Sequence, residues 1–159
     1  MERSSTSVDT GPSPGDKLED FEIITELGRG TYGVVSKVRS RRDGKIYVLK
    51  KIRCGHLSAE KQLDAKKEVH LLRQVQHPHI IGYFSSFADR VHIFIVMEYA
   101  PNGDLQRLLD LHSRRNTPIP EATVRRALGE LAQALGHLHE RRILHRDVKP
   151  VNVFLHEGS

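Results

Sequence analysis

The stretch His145-Arg146-Asp147-Val148-Lys149-Pro150-Val151-Asn152, followed by Val153-Phe154-Leu155, places an anion, a cation and an amide on one short segment. Phosphoryl transfer needs such a set: an anion to orient an incoming hydroxyl, a cation near the migrating phosphoryl group, and an oxygen that binds a metal ion. Asp147, Lys149 and Asn152 supply these groups in order. An isolated H-x-D triple reads as a solvated turn. The ordered set, with a short apolar run behind it, is much more specific.

Working backward, Leu27-Gly28-Arg29-Gly30-Thr31-Tyr32-Gly33-Val34-Val35 carries G-x-G-x-x-G-x-V. Glycine triplets also occur in dinucleotide folds and ordinary turns, so context decides. A dinucleotide site requires the glycines to open a helix. Here Val34-Val35 continue as a strand, which fits a β-hairpin folded over phosphates, where Gly28, Gly30 and Gly33 let backbone N–H groups approach without Cβ clashes. The next strand-like run, Lys45 to Ile52, holds two lysines. Period-two alternation puts Ile46, Val48, Lys50 and Ile52 on one face, so Lys50 is expected on the apolar side and Lys51 in solvent.

The organisation around these motifs is a switch from strands to helices. Residues 21–27, 34–39 and 45–52 read as an antiparallel meander, with a turn at Arg42-Asp43-Gly44. Residues 58–75 read as a helix, with Ser58 as N-cap and Val69, Leu72 and Val75 as its apolar stripe; His77-Pro78 ends it. Strands are expected around 80–87 and 91–99, and Pro101-Asn102-Gly103 breaks the pattern. Asp104 then caps a short helix. A long one starts at Pro120-Glu121 and runs to about Glu140, with Leu128, Leu131, Leu135 and Leu138 on one buried face.

Composition narrows the classes further. The formal charge of +5 comes largely from scattered pairs such as Arg41-Arg42, Lys66-Lys67 and Arg125-Arg126, which is the pattern of a solvated surface and disfavours nucleic acid as a partner. Cys54 is the only cysteine, so no internal disulfide forms, and a reducing compartment, cytoplasm or nucleus, is expected. No apolar run suits a signal peptide or a membrane span. Ten histidines invite a metal site. His77 and His79 flank a proline, however, and His137 and His139 lie two apart on a helix and point to different faces, so no ligand spacing results.

Taken together, these segments resemble a eukaryotic-type serine/threonine protein kinase, over nearly everything after the leader. Tyr47-Val48-Leu49-Lys50, Lys67-Glu68-Val69, His77-Pro78-His79-Ile80 and Asn152-Val153-Phe154-Leu155 look most like the NIMA-related (NEK) kinases. Tyr32 at the glycine-loop tip, where Phe is usual, and Pro150, where Thr is common in that group, depart from the pattern. The resemblance implies an α+β fold: a disordered leader at 1–20, an antiparallel β N-lobe with one helix at 21–97, a hinge at 98–103 and a partial helical C-lobe at 104–159.

It also implies ATP and Mg2+ as cofactors and a protein as substrate. Asp147 would accept the proton of the substrate hydroxyl, Lys149 favours serine/threonine over tyrosine, and Asn152 would help hold the metal. Lys50, paired with Glu68, would grip phosphates beneath Gly28, Gly30 and Gly33. Leu27, Val35 and Val48 would pack on adenine above Phe154, with Met97 guarding the back pocket. The backbone of Glu98 and Ala100 would bond the adenine edge, and Asp104 would contact ribose or substrate. An Asp-Phe-Gly, an activation segment and an Ala-Pro-Glu-like stretch do not occur in the 159 residues. The 159 residues alone are therefore expected to show little or no activity. The alternative expectation is a catalytically inactive nucleotide-binding or regulatory kinase fragment that associates with a protein partner.

Overall fold

The structure, a computed structural model, describes residues 13–30, 33–55, 67 and 69–155. Branched and aromatic residues at alternating positions form strands β1 (Phe21–Gly30), β2 (Gly33–Ser40), β3 (Ile46–Arg53), β4 (Tyr83–Ala88) and β5 (His92–Glu98). They make one sheet in the order β1-β2-β3-β5-β4, with antiparallel pairing from β1 through β3. A helical stretch at residues 69–74, here α1, follows β3. Helices α2 (Leu105–Arg114) and α3 (Glu121–Glu140) follow the sheet. The expected N-cap Ser58 and the glutamate Glu68 lie outside the described residues.

The chain divides into two compact units, Met1–Ala65 with Phe84–Met97, and Lys66–Tyr83 with Glu98–Ser159. The division differs from a single cut at the hinge, because the described part of α1 is counted with the second unit.

In the first unit, Phe21, Val38, Tyr47, Leu49, Phe94 and Val96 form the buried core, with Phe87 packed against it. Phe87 stacks on Phe94 at 4.8 Å between centroids and on Phe21 at 6.0 Å. Tyr47 is nearly inaccessible, yet its hydroxyl donates to Asp43 Oδ2 at 2.6 Å, so the phenol's polar end is satisfied at the β2–β3 turn. The turn closes through Gly44 N–H to the Ser40 carbonyl, with Gly44 at φ 72°, where a β-carbon is disfavoured.

Residues 13–20, expected as part of a disordered leader, are instead docked on this sheet. Pro14 and Gly15 are buried. The fully buried Ser40 donates its hydroxyl to the Pro14 carbonyl at 2.7 Å, and Ser85 donates to the Gly15 carbonyl at 3.0 Å. Arg42 reaches Asp16 at 2.9 Å and Asp20 at 2.8 Å. Exposed ion pairs contribute little by themselves. Burial of Pro14 and satisfaction of the Pro14 and Gly15 carbonyls by the Ser40 and Ser85 hydroxyls hold the segment, and composition does not reveal either.

In the second unit, Asp104 caps α2 by accepting the Arg107 N–H at 2.9 Å, as the sequence leads one to expect. Helix α3 keeps its expected bounds, but its leucine row is not uniformly covered. Ala134 and Leu138 are buried and Leu131 and Leu135 half-buried, whereas Leu128 is 61% exposed. Burial is confined to the C-terminal half of the helix.

Tyr47 links turn and core, which makes it testable. Its phenol is pushed up to about 12, by burial first and then by Asp43. A phenol raised in this way stabilises the fold fully below its ordinary value of 10.0 and loses that contribution as pH climbs toward 12. Tyr47→Phe should cost about 1–2 kcal/mol in urea unfolding near neutral pH. It should also flatten the alkaline loss of stability above pH 10. Equal stability of the two proteins at both pH values would contradict this assignment.

Candidate active site

The first unit aligns part of the expected nucleotide site along one sheet row. Gly28 pairs with Val35, and Val35 pairs with Lys50. Paired residues of antiparallel strands share a face, so the glycine, the branched side chain and the lysine stand side by side. Val48 pairs with Lys37, two residues along the same strand face as Lys50. Leu27 falls in the register shift between Glu26 and Gly28, and is 48% exposed. Met97, half-buried, follows the fully buried Ile95 and Val96 near the end of β5.

The two lysines do not divide as strand alternation suggests. The core face of β3 is that of Tyr47 and Leu49, opposite to the face of Val48 and Lys50. Lys51 lies on the core side, half-buried, its Nζ 5.9 Å from the Phe94 ring centre. The expectation that Lys51 faces solvent is therefore corrected: a long alkyl stem can cover a core edge while its ammonium sits over an aromatic face. Lys50 remains on the other, half-buried face with Ile46 and Val48.

The glycines differ in what they do. A β-carbon on Gly33 would lie 1.8 Å from the Lys51 carbonyl oxygen, so this residue is required by strand packing. At Gly28 and Gly30 no described atom lies within 4 Å of the added carbon, which leaves open space above the backbone. The hairpin tip, Thr31 and Tyr32, lies outside the described residues.

In the second unit the segment quoted at the outset forms a knot around Asp147. The Asn152 amide nitrogen donates to the Asp147 carbonyl at 2.8 Å and to its Oδ2 at 2.9 Å. Lys149 Nζ lies 2.9 Å from Oδ1. His145 Nδ1 accepts the Asp147 N–H at 3.3 Å, a role that sequence reading did not give it. Arg146 sits at φ 64°, a left-handed conformation that costs a non-glycine residue on the order of 1 kcal/mol and is typical of functional loops. The Lys149 hydrogen bond first, then Asn152, hold the Asp147 carboxyl below the usual carboxylate value. It stays ionised at neutral pH, ready to accept a hydroxyl proton but weakly basic.

Phe154 and Asp104 are brought together. They form an antiparallel bridge, flanked by Leu105 N–H to the Val153 carbonyl and Leu155 N–H to the Gly103 carbonyl, both 2.8 Å. Glu98 is fixed twice to Gly82: its N–H donates to the Gly82 carbonyl at 2.8 Å, and its Oε2 accepts the Gly82 N–H at 2.9 Å. Ala100 is half-buried just beyond. Glu68 lies outside the described residues.

Both Asn152 bonds use nitrogen, so Oδ1 is the hard oxygen suited to magnesium. Among the described residues no cluster of three or more His, Cys, Asp or Glu side chains could hold a metal ion. A shallow surface hollow lined by Glu121, Ala122, Arg125 and Arg126 contains none of the candidate residues. Among the described residues no helix is long and apolar enough to cross a membrane.

Two outcomes follow from this geometry. Gly33→Ala should lower stability by about 1–3 kcal/mol through overpacking, while Gly28→Ala should leave the melting temperature nearly unchanged; equal effects would contradict the register. Lys149→Met should raise the Asp147 titration midpoint toward 3.8, followed by carboxyl NMR. An unmoved midpoint would show that the ammonium is not its main partner.

Comparison with known proteins gives these residues a common context. The protein kinase domain matches residues 21–159. Human serine/threonine-protein kinase Nek2 is 39% identical over 147 residues and mouse Nek2 36% over 146, each covering 87% of this chain. Mouse serine/threonine-protein kinase Nek4 is 42% identical over 131 residues, covering 81%. The chain spans 33% of the length of either Nek2 and 16% of Nek4. The motif order, the five-stranded sheet and the match over residues 21–159 agree, and the chain belongs to the protein kinase family.

Proposed function

We propose that this chain carries the nucleotide-gripping and hydroxyl-orienting parts of an ATP-dependent serine/threonine protein kinase. The observation that supports it most is the Asp147 carboxylate held by Lys149 and Asn152. A substrate serine or threonine hydroxyl donates to Asp147, which fixes the direction of the oxygen lone pair and takes up the proton as the bond to phosphorus forms. Because the carboxylate is held low, it orients the hydroxyl rather than stripping it in advance. Lys149, already within ion-pair distance, offsets negative charge beside that oxygen.

Lys50 falls to the phosphates, in the row with Val35 and Gly28, and the open space over Gly28 and Gly30 leaves room for phosphate oxygens near backbone N–H groups. Leu27, Val35, Val48 and Phe154 offer apolar surface for adenine. The doubly anchored Glu98, with Ala100, presents extended backbone to the adenine edge; Met97 borders the back pocket and Asp104 the ribose or substrate. Glu68 is the carboxylate partner proposed for Lys50. Asn152 Oδ1 is the oxygen proposed for magnesium. Mg-ATP, when bound, supplies the transferable phosphoryl group and most of the charge neutralisation. A protein is the proposed substrate, and cytoplasm or nucleus the proposed location, from the single cysteine.

Binding can be read without catalysis. Millimolar Mg-ATP should raise the melting temperature of the 159-residue chain, by linkage about 2.7 kcal/mol at a hundredfold excess over Kd. Lys50→Met should weaken binding at least tenfold, so that Mg-ATP no longer raises the melt. Lys51→Met should do the reverse, lowering the melt with ATP affinity retained. A wild-type melt indifferent to Mg-ATP would defeat the nucleotide assignment.

A further inference from the structure

A cluster of imidazoles outside the candidate site joins the turn after α1 to the end of α3. The His77 and His137 rings stand 4.8 Å apart and tilted by 43°, and His79 lies 5.4 Å from His77. The hydrogen bonds define the protonation state of two of these rings. The His79 N–H points at His77 Nδ1 at 3.2 Å, so that nitrogen accepts. Arg141 Nη1 lies 3.1 Å from His137 Nδ1, and a guanidinium can only donate, so His137 accepts there and carries its proton on Nε2. That Nε2 is buried and has no hydrogen-bond partner among the described residues. Both rings are used in their neutral form.

We propose that this contact is a proton-operated clasp, closed when the imidazoles are neutral and opened when protons are added to them. A proton on Nδ1 of His77 removes the acceptor of the His79 N–H; one on Nδ1 of His137 removes the acceptor of Arg141. Each also places like charge among His77, His79, His137 and Arg141. Among the described residues the carboxylate beside this group is Glu140, with Oε2 4.0 Å from Arg141 Nη1, and both side chains are largely exposed. The C-terminal end of α3 favours a cation. Arg141 already serves it, donating to the His137 carbonyl at 3.1 Å. His139, next on the helix, is exposed.

The pH sign agrees with the geometry. Partial burial first, then His137, His79 and Arg141, hold His77 below its ordinary 6.5. A histidine depressed in the folded state contributes stability above 6.5 and loses it as pH falls, so acidification weakens the clasp. What it releases is the hold of α3 on the 77–79 turn, and with it the segment that carries α1. The device does not depend on nucleotide chemistry.

Amide hydrogen exchange on the 159-residue chain, corrected for the pH dependence of the chemical step, tests the proposal. Between pH 7.5 and 5.5 the opening constant at residues 77–82 and 134–141 should rise, the rise setting in as pH falls through 6.5 and being no steeper than about tenfold per pH unit for each proton taken up. Exchange of the β1–β3 amides should change little. His137→Phe and His77→Phe each keep a flat ring without a proton site and should flatten the response. NMR titration of the wild-type His77 ring, which needs no variant, should show its signal moving together with that opening. Unchanged protection at these residues on acidification, ring signals that titrate without accompanying opening, or the full response persisting in both variants would overturn the clasp.

Discussion

The close approach of Gly33 to the Lys51 carbonyl is the constraint from which the sheet's functional face follows. Only a residue without a β-carbon fits there, since an added one would lie 1.8 Å from the oxygen. The approach fixes β2 on β3 with Gly33 opposite Ile52 and Val35 opposite Lys50. A slip of one residue would exchange the faces of Lys50 and Lys51 and turn Tyr47 and Leu49 out of the core. The burial of an aromatic and a leucine side chain, each worth roughly 1.5–3 kcal/mol, therefore defends the same register that aligns Lys50 with Gly28 and Val35.

The second unit solves a different problem with local means. Asp147, Lys149 and Asn152 are exposed polar residues on a loop, which burial cannot position. Hydrogen bonds within six residues do so instead: Asn152 ties side chain to backbone across the loop and His145 takes the N–H, while the Phe154–Asp104 bridge, between residues fifty positions apart, anchors the exit. Left-handed Arg146 is the conformational cost of turning the carboxylate outward.

Much of this was legible in the residues because the signals are local. Strand alternation, Pro-bounded helices, the Asp104 cap and the order of residues from His145 to Asn152 all act within a few residues. What escaped depends on partners distant in sequence. Docking of residues 13–20 rests on Ser40, Arg42 and Ser85, and a leader rich in Ser, Gly and Pro carries no periodic trace of that. Alternation identifies two faces of β3 but not which one closes over Phe94, so it places Lys51 in solvent. The glycine pattern suggests phosphate access at Gly33, whereas contact with the Lys51 backbone already requires a glycine there. The His77–His137 contact joins residues sixty positions apart, and neither stands in a ligand-spacing pattern.

The assignment of Lys50 over Lys51 is where register, chemistry and family meet, and a lysine-reactive acyl phosphate of ATP tests it directly. The probe delivers its acyl group to an amine beside the bound phosphates, and peptide mass spectrometry identifies the residue. The account predicts acylation of Lys50, suppressed by excess Mg-ATP, with Lys51 unmodified. Acylation of Lys51 in its place, or labelling of both that Mg-ATP does not suppress, would contradict it.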